Sequence, residues 1–256
     1  RGKFIQSLPW LMQYLSNCRQ SKVRDTSNKL TTLLSLVDEG YEDLFNDADI
    51  ENLISRESIF YVWSNKLFYN SARKDFETRE KTGVKIEIIS KNEINDVEPN
   101  IKNIFYKGAL FNGSYFAKNP KKISEKLLQL FIEKGGNFKK EKIDEIKILD
   151  SNKVNVHSSE NTYFFDRIVL CAGAWSKNLS DKLGENIPLA SERGYHLMYP
   201  HPENSISRPI AWQERGVYFT PMQDGLRAGG VVELGDNSNE ISSKVVSYLK
   251  RSTNAV

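Results

Sequence analysis

The chain has 256 residues, 39% of them apolar and 27% charged, with a formal net charge of +3. That is enough apolar material for one large or two small cores, and the balanced charge argues against both a disordered segment and a nucleic-acid binder. Two cysteines, Cys18 and Cys171, form no framework, which suits a reducing compartment; no apolar run approaches the about 18 residues of a membrane span, and no signal-peptide pattern is read.

The first third is expected to be helical. Residues 26–45 carry Leu30, Leu33, Leu34, Val37, Tyr41 and Leu44 at helical spacing, as one apolar stripe interrupted only by Gly40. "IFYV" at 59–62 predicts a strand. A polar-faced helix over 65–82 should end at Gly83, and "VKIEII" at 84–89 alternates as a strand does.

The segment 119–136 has the clearest local grammar. Asn119 is the expected N-cap and Pro120 the first helical residue; Ile123, Leu127, Leu130 and Phe131 form the apolar face, and Gly135-Gly136 stop the helix. Strands are expected within 137–149 and 153–158, with a turn at "DSN" (150–152). Next comes "TYFFDRIVLC" (162–171), whose end is a continuous apolar run of the kind covered on both faces in a sheet. Cys171, inside that run, is expected to be a buried, inert thiol. The last third predicts strands at 193–200, 208–213, 216–222 and 226–234 with a turn at "QDG" (223–225), hence an antiparallel sheet, and a final helix starting after Ser238.

The chemistry that is missing narrows the function. The histidines His157, His196 and His201 have no ligand spacing, so no metal site is expected. There is no GxSxG elbow, no P-loop and no Gly-x-Gly among the fifteen glycines, hence no phosphate cradle. What stands out is "RIVLCAGAWS" at 167–176, where an apolar run stops at Ala172-Gly173-Ala174. Small residues there admit close approach of a ligand, or simply make a tight strand-to-helix turn.

That segment resembles the strand and loop of FAD-dependent oxidoreductases of the D-amino-acid oxidase type. "ERGYHLMYP" (192–200), "VYFTPMQDGLRAGGVVEL" (217–234) and "WLMQYLSNCRQSKVR" (10–24) are similar to the D-amino-acid dehydrogenase small-subunit branch. The resemblance implies an α/β (mixed α+β) fold, with part of a Rossmann-like FAD-binding domain interleaved with an antiparallel-sheet substrate domain. The expected division is 1–115 and 189–256 for the substrate domain and 116–188 for the remnant of the FAD domain. The family's glycine-rich βαβ unit would precede Arg1 and its late substrate-arginine segment would follow Val256, so an internal fragment is expected. Such a fragment is expected to bind FAD weakly or not at all, to be inactive alone, and to expose apolar surface.

The resemblance also assigns residues. Ile143, in "KKEKIDEIKI" (139–148), takes the position whose backbone meets the adenine, or is an ordinary core residue. Ala172, Gly173 and Ala174 take the place of the loop beside the flavin. Tyr218, three residues before Pro221, matches a tyrosine of the glycine-oxidase branch that touches the substrate carboxylate, or is a sheet aromatic. Tyr195 and His196 line the substrate chamber, or are cross-strand neighbours. No residue is assigned as a catalytic base, because hydride transfer from Cα to the flavin needs alignment and a neutral amine more than a protein base.

The function so implied is oxidation of a D-amino acid to its imine and then a 2-oxo acid. Electrons would pass to a quinone or electron-transfer chain, in the cytoplasm or at the inner face of a bacterial membrane. Two alternatives stay open: a glycine- or sarcosine-type amine oxidase of the same superfamily, and a non-catalytic or split module whose partner supplies the Rossmann unit.

Overall fold

The computed structural model describes residues 2–149, 153–189, 191–200, 205–234 and 240–256. The expected turn at 150–152 and His201 lie outside them. In chain order the first helices are α1 (Gly2–Asn17), α2 (Gln20–Leu34) and α3 (Val37–Asp47). They are followed by β1 (Ile54–Ser55), β2 (Ile59–Trp63), α4 (Lys66–Lys81), β3 (Lys85–Ile89), α5 (Ile94–Val97), β4 (Lys107–Asn112), β5 (Phe116–Ala117) and α6 (Pro120–Glu133). Then come β6 (Ile143–Ile148), β7 (Val154–Ser158), β8 (Thr162–Phe165) and α7 (Ser176–Lys182). The chain ends with β9 (Glu192–Tyr199), β10 (Ile210–Trp212), β11 (Val217–Met222), β12 (Gly225–Leu234) and α8 (Ser243–Ala255).

Two compact units are formed. One comprises residues 1–17, 136–193 and 233–238; the other comprises 18–135, 194–232 and 239–256. In the first, β6, β7 and β8 make an antiparallel three-stranded sheet. Ile146, Val154 and Val156 are its core, and Ile143, Leu170, Leu179 of α7 and Leu183 at the end of α7 pack against them.

The second unit is built on a seven-stranded sheet of order β3-β4-β2-β10-β11-β12-β9. The last third of the sequence reads as an antiparallel block, but the sheet is mixed: β10 runs parallel to β2, joining the late strands to the early ones. Period 2 puts Phe60, Val62, Ile210, Trp212, Val217, Phe219 and Ala228 on one face, under Ile94, Phe105, Ile206 and Leu249. On the opposite face, Trp63, Ala109 and Phe111 are covered by Phe76 of α4.

Local grammar holds where capping is explicit. The Asn65 side chain accepts from Leu67 N–H at 2.8 Å at the start of α4, and Asn119 accepts from Lys122 N–H at 3.1 Å at the start of α6. In α6, Ile123, Leu127 and Leu130 pack on Phe45, Ala48, Ile50 and Leu53, whereas Phe131, on the shoulder of that stripe, is exposed.

Two expectations are corrected. The helix read over 26–45 is broken at Ser35–Leu36 into α2 and α3. Thr31, Thr32 and Ser35 turn their hydroxyls onto the carbonyls of Ser27, Asn28 and Thr32, which competes with the helical ladder and favours a bend. The apolar stripe is largely exposed, with Leu33 65% accessible and only Phe45 of α3 buried. The second correction concerns the apolar run 168–171. The strand stops at Phe165, Val169 is 84% exposed, and Cys171 is an exposed free thiol rather than a buried one. A strand covered on both faces needs neighbours on both edges, and no described strand pairs with these residues.

Candidate functional site

In the larger unit, the sheet face opposite the Phe60–Leu249 core carries Tyr218. Alternation along β11 sends Val217 and Phe219 into the core and Tyr218 outward, where it is 46% exposed. The residues opposite Tyr218 on its two neighbouring strands are small: Ala211 on β10 and Gly229 on β12. The half-exposed phenol therefore stands between two small, buried positions.

The same alternation separates Tyr195 from His196. Tyr195 packs against the core, where its hydroxyl accepts from Ser242 N–H at 3.2 Å. His196 is on the exposed side of β9 with Met198, and its Cβ lies 3.5 Å from where a Cβ at Gly229 would stand. The structure thus brings His196, and not Tyr195, to the face that carries Tyr218.

Arg227 also lies on that face and was not singled out from the sequence. It is paired with Thr220, two positions from the Tyr218–Gly229 pair, and its Cζ is 3.8 Å from where a Gly229 Cβ would stand. The signal was present in "GLRAGG": with period 2, Arg227 and Gly229 must share a face. Just beyond them the strand is strained, with Gly230 at φ +146° and the β-branched Val231 at φ +60°. A cavity of about 270 Å3 lies elsewhere in this unit, at the Pro221–Gln223 turn beside Leu53, Phe116, Lys118 and Ser207, and holds none of the residues chosen from the sequence.

The smaller unit carries the other candidates. Ile143 opens β6, half-buried on the sheet core, with an irregularity in register between it and Glu145. Beside it the Glu141 carboxylate accepts from Ser158 Oγ at 2.6 Å and Tyr163 OH at 2.5 Å, and these donors hold its pKa below the usual glutamate value. Ala172 is half-buried, and Gly173 and Ala174 are exposed in a single 3-10 turn leading into α7. Gly173 is at φ +55°, and nothing lies within 4 Å of where its Cβ would be. The loop is therefore small-sided without being packed on by its own unit, a geometry that fits close approach of a planar group.

Among the described residues no cluster of His, Cys, Asp or Glu fits a metal ion, and no helix is long and apolar enough to cross a membrane. A flavin fits the residues of the smaller unit in part, through the open loop at 172–174. The pyrophosphate would need backbone N–H groups of a glycine-rich turn, a motif that these 256 residues do not contain.

Comparisons with known proteins agree with this architecture. The chain is 26% identical over 230 residues to a D-amino-acid oxidase of Bradyrhizobium diazoefficiens, covering 90% of this chain and 54% of that protein. It therefore spans about half the length of this curated relative. Its fold is similar to that of glycine oxidase from Geobacillus kaustophilus, with a TM-score of 0.74 at 14% identity over 87% of this chain and 60% of that one. It is also similar to L-proline dehydrogenase from P. horikoshii, with a TM-score of 0.72 at 12% identity over 85% and 60% of the two chains. The model of the FAD dependent oxidoreductase family, DAO, matches residues 14–256, and the chain belongs to that family of flavin-using oxidoreductases.

Proposed function

We propose that this chain is an internal part of a longer enzyme that oxidises the Cα–N bond of a D-amino acid. The Cα hydrogen leaves as hydride and the nitrogen lone pair forms the C=N bond. Water then adds to the imine, giving a 2-oxo acid and ammonium. FAD supplies the hydride acceptor when bound. The residues of this chain bind and orient the substrate, and none acts as a base, because deprotonated amine and correct alignment suffice for hydride departure. The smaller unit would contribute Ile143 and Ala172–Ala174 to the cofactor, and the larger unit would contribute Tyr218 and His196 to the substrate.

The observation that carries this reading is the exposed phenol of Tyr218 between the small residues Ala211 and Gly229, since a phenol there can donate to a carboxylate. The relative named a D-amino-acid oxidase favours an amino acid over other amines. A quinone or electron-transfer chain as acceptor follows from the dehydrogenase-like motifs at 192–200 and 217–234.

The test uses the product of the full open reading frame, purified with its flavin and mixed anaerobically with D-alanine, L-alanine, glycine and sarcosine. Bleaching of the flavin by D-alanine alone is expected. Bleaching by sarcosine or glycine and not by D-alanine would transfer the protein to the amine-oxidase group. Peroxide formation in air would replace the quinone acceptor by oxygen.

A further inference from the structure

We propose that β3 is a dimer edge: it pairs antiparallel with β3 of a second copy of this chain, about a two-fold axis at Ile86. The inference does not depend on the reaction proposed above. Three observations of the larger unit carry it.

The first is a free edge. β3 ends the seven-stranded sheet; it pairs with β4 on one side, and among the described residues no strand pairs with its other side. Such an edge offers a row of backbone donors and acceptors, and proteins ordinarily blunt it with a bulge, a proline or a charge. β3 has an unbroken register with β4 and no proline, and its lysine, Lys85, is followed two positions on by Glu87.

The second is self-complementarity. In an antiparallel pair, directly opposed side chains share a face, and a two-fold axis makes every contact occur twice. With the axis at Ile86, Lys85 lies opposite Glu87 of the second copy and Glu87 opposite its Lys85. Ile86 meets its own mate, and Ile88 meets Val84. Period 2 then sets both ion pairs on one face and the aliphatic residues on the other. Moving the axis to Lys85 or to Glu87 sets like charges directly against each other, which is unfavourable.

The third is uncovered apolar surface on the aliphatic face. Val84 and Ile86 pack on Trp63, Phe76 and Phe111, but Ile88 is 44% exposed. Helix α4 does not close over it: a cavity of about 160 Å3 lies between α4 and β3, with Tyr69, Phe76, Ile86 and Ile88 among its walls. Pairing at this register brings Val84 of the second copy beside Ile88 and continues the row Val84–Ile86–Ile88 from one copy into the next. A contact of one short strand pair falls at the small end of specific interfaces, below about 1,200 Å2, so a concentration-dependent equilibrium of monomer and dimer is expected.

The experiment is sedimentation equilibrium of the full-length flavoprotein as wild type, Glu87→Lys and the exchange Lys85→Glu/Glu87→Lys. Wild type should dimerise. Glu87→Lys opposes lysine to lysine twice and should raise the dimer dissociation constant about tenfold, while the exchange restores two unlike pairs and should return it to within about threefold of wild type. Register is read separately by oxidising Ile86→Cys and Ile88→Cys and mapping the linked peptides, which sets aside links through the exposed Cys18 and Cys171. The cysteine of Ile86→Cys faces its own mate across the axis and should link; that of Ile88→Cys stands four residues from its mate, about 13 Å along the strand, and should not. Circular dichroism and flavin content report folding, and a Glu87→Lys chain that fails to fold leaves the decision to the two cysteine variants. A wild type that stays monomeric, a dimer that Glu87→Lys leaves intact, a loss that the exchange does not restore, or a link at 88 in place of 86 would overturn the proposal.

Discussion

Two adjacent glycines, Gly229 and Gly230, make opposite predictions. A Cβ on Gly230 would sit 2.1 Å from the carbonyl oxygen of Gly216 and 3.0 Å from Val217 Cα, and both are backbone atoms that cannot swing aside. Gly230 is also at φ +146°, which residues with a Cβ rarely adopt. Holding a side chain in such a region costs about 1–3 kcal/mol, and overpacking a close-packed site adds about 1–3 kcal/mol. Gly230→Ala should therefore lose about 4 kcal/mol, a fall in Tm of roughly 8–16 °C for a chain of this size. A Cβ on Gly229 meets His196 Cβ at 3.5 Å and Arg227 Cζ at 3.8 Å, which are ordinary contacts. Its replacement by alanine should leave stability unchanged or raise it by about 0.5–1 kcal/mol, because glycine inside a strand is entropically costly. Thermal and urea unfolding of both variants, followed by far-UV circular dichroism, measures the difference. If Gly230→Ala unfolds within about 1 kcal/mol of Gly229→Ala, the kink in β12 is not the fixed point of the strand and the register argued for Tyr218 and Arg227 loses its anchor.

Three further outcomes follow from the same contacts. Glu98 is fully buried and accepts from Ser207 N–H at 2.9 Å and Ser207 Oγ at 2.8 Å; Glu98→Ala should cost about 1–3 kcal/mol in urea unfolding, because both hydrogen bonds are lost. Asn119→Ala removes the cap of α6 and should cost about 1 kcal/mol by the same assay, while Asn119→Ser should cost little. The Glu141 pKa is lowered in the folded chain by hydrogen bonds from Ser158, Tyr163 and Asn161, so its stabilising contribution is present above the ordinary glutamate value of 4.5 and lost as the pH falls through the lower folded value. Glu141→Gln should therefore be destabilised at pH 7 and indistinguishable from wild type once both carboxyl states are protonated; a penalty that persists at acid pH would refute this.

How much of this was legible in the sequence depends on whether the cause is local. Asn65, Asn119 and Pro120 announce helix starts because a cap needs only its own next three residues, and the strands from 193 to 234 are bounded by turn residues that act locally. The apolar run 168–171 misled because a continuous run specifies burial without saying which neighbours supply it. The parallel pairing of β10 with β2 was invisible for a related reason: it joins Ile210 to Phe60 across 150 positions, and no turn chemistry encodes such a crossover. In the candidate site, Tyr218 was found through a matched motif, whereas Arg227 needed the register, since only the pairing of Thr220 with Arg227 sets it beside the phenol.

The two kinds of exposed surface on the larger unit differ in chemistry, and the difference locates function. On α2 the exposed large apolar residues are Val23, Leu30, Leu33 and Leu34, whose side chains offer no hydrogen bonds and gain only from being covered by something equally apolar. On the sheet face of Tyr218 the exposed groups are a phenol, an imidazole and a guanidinium. Covering those with apolar side chains would strand three donors, at a cost of about 1–3 kcal/mol for each one left unpaired. A ligand that satisfies them must be small and must carry acceptors. Under the proposed function the leucine stripe is a surface for packing and the sheet face a surface for chemistry, and substitutions should sort accordingly: polar replacements at Leu33 should change solubility and leave carboxylate binding intact, whereas phenylalanine at Tyr218 should weaken binding of a carboxylate probe such as propionate about tenfold and leave the unfolding curve in place.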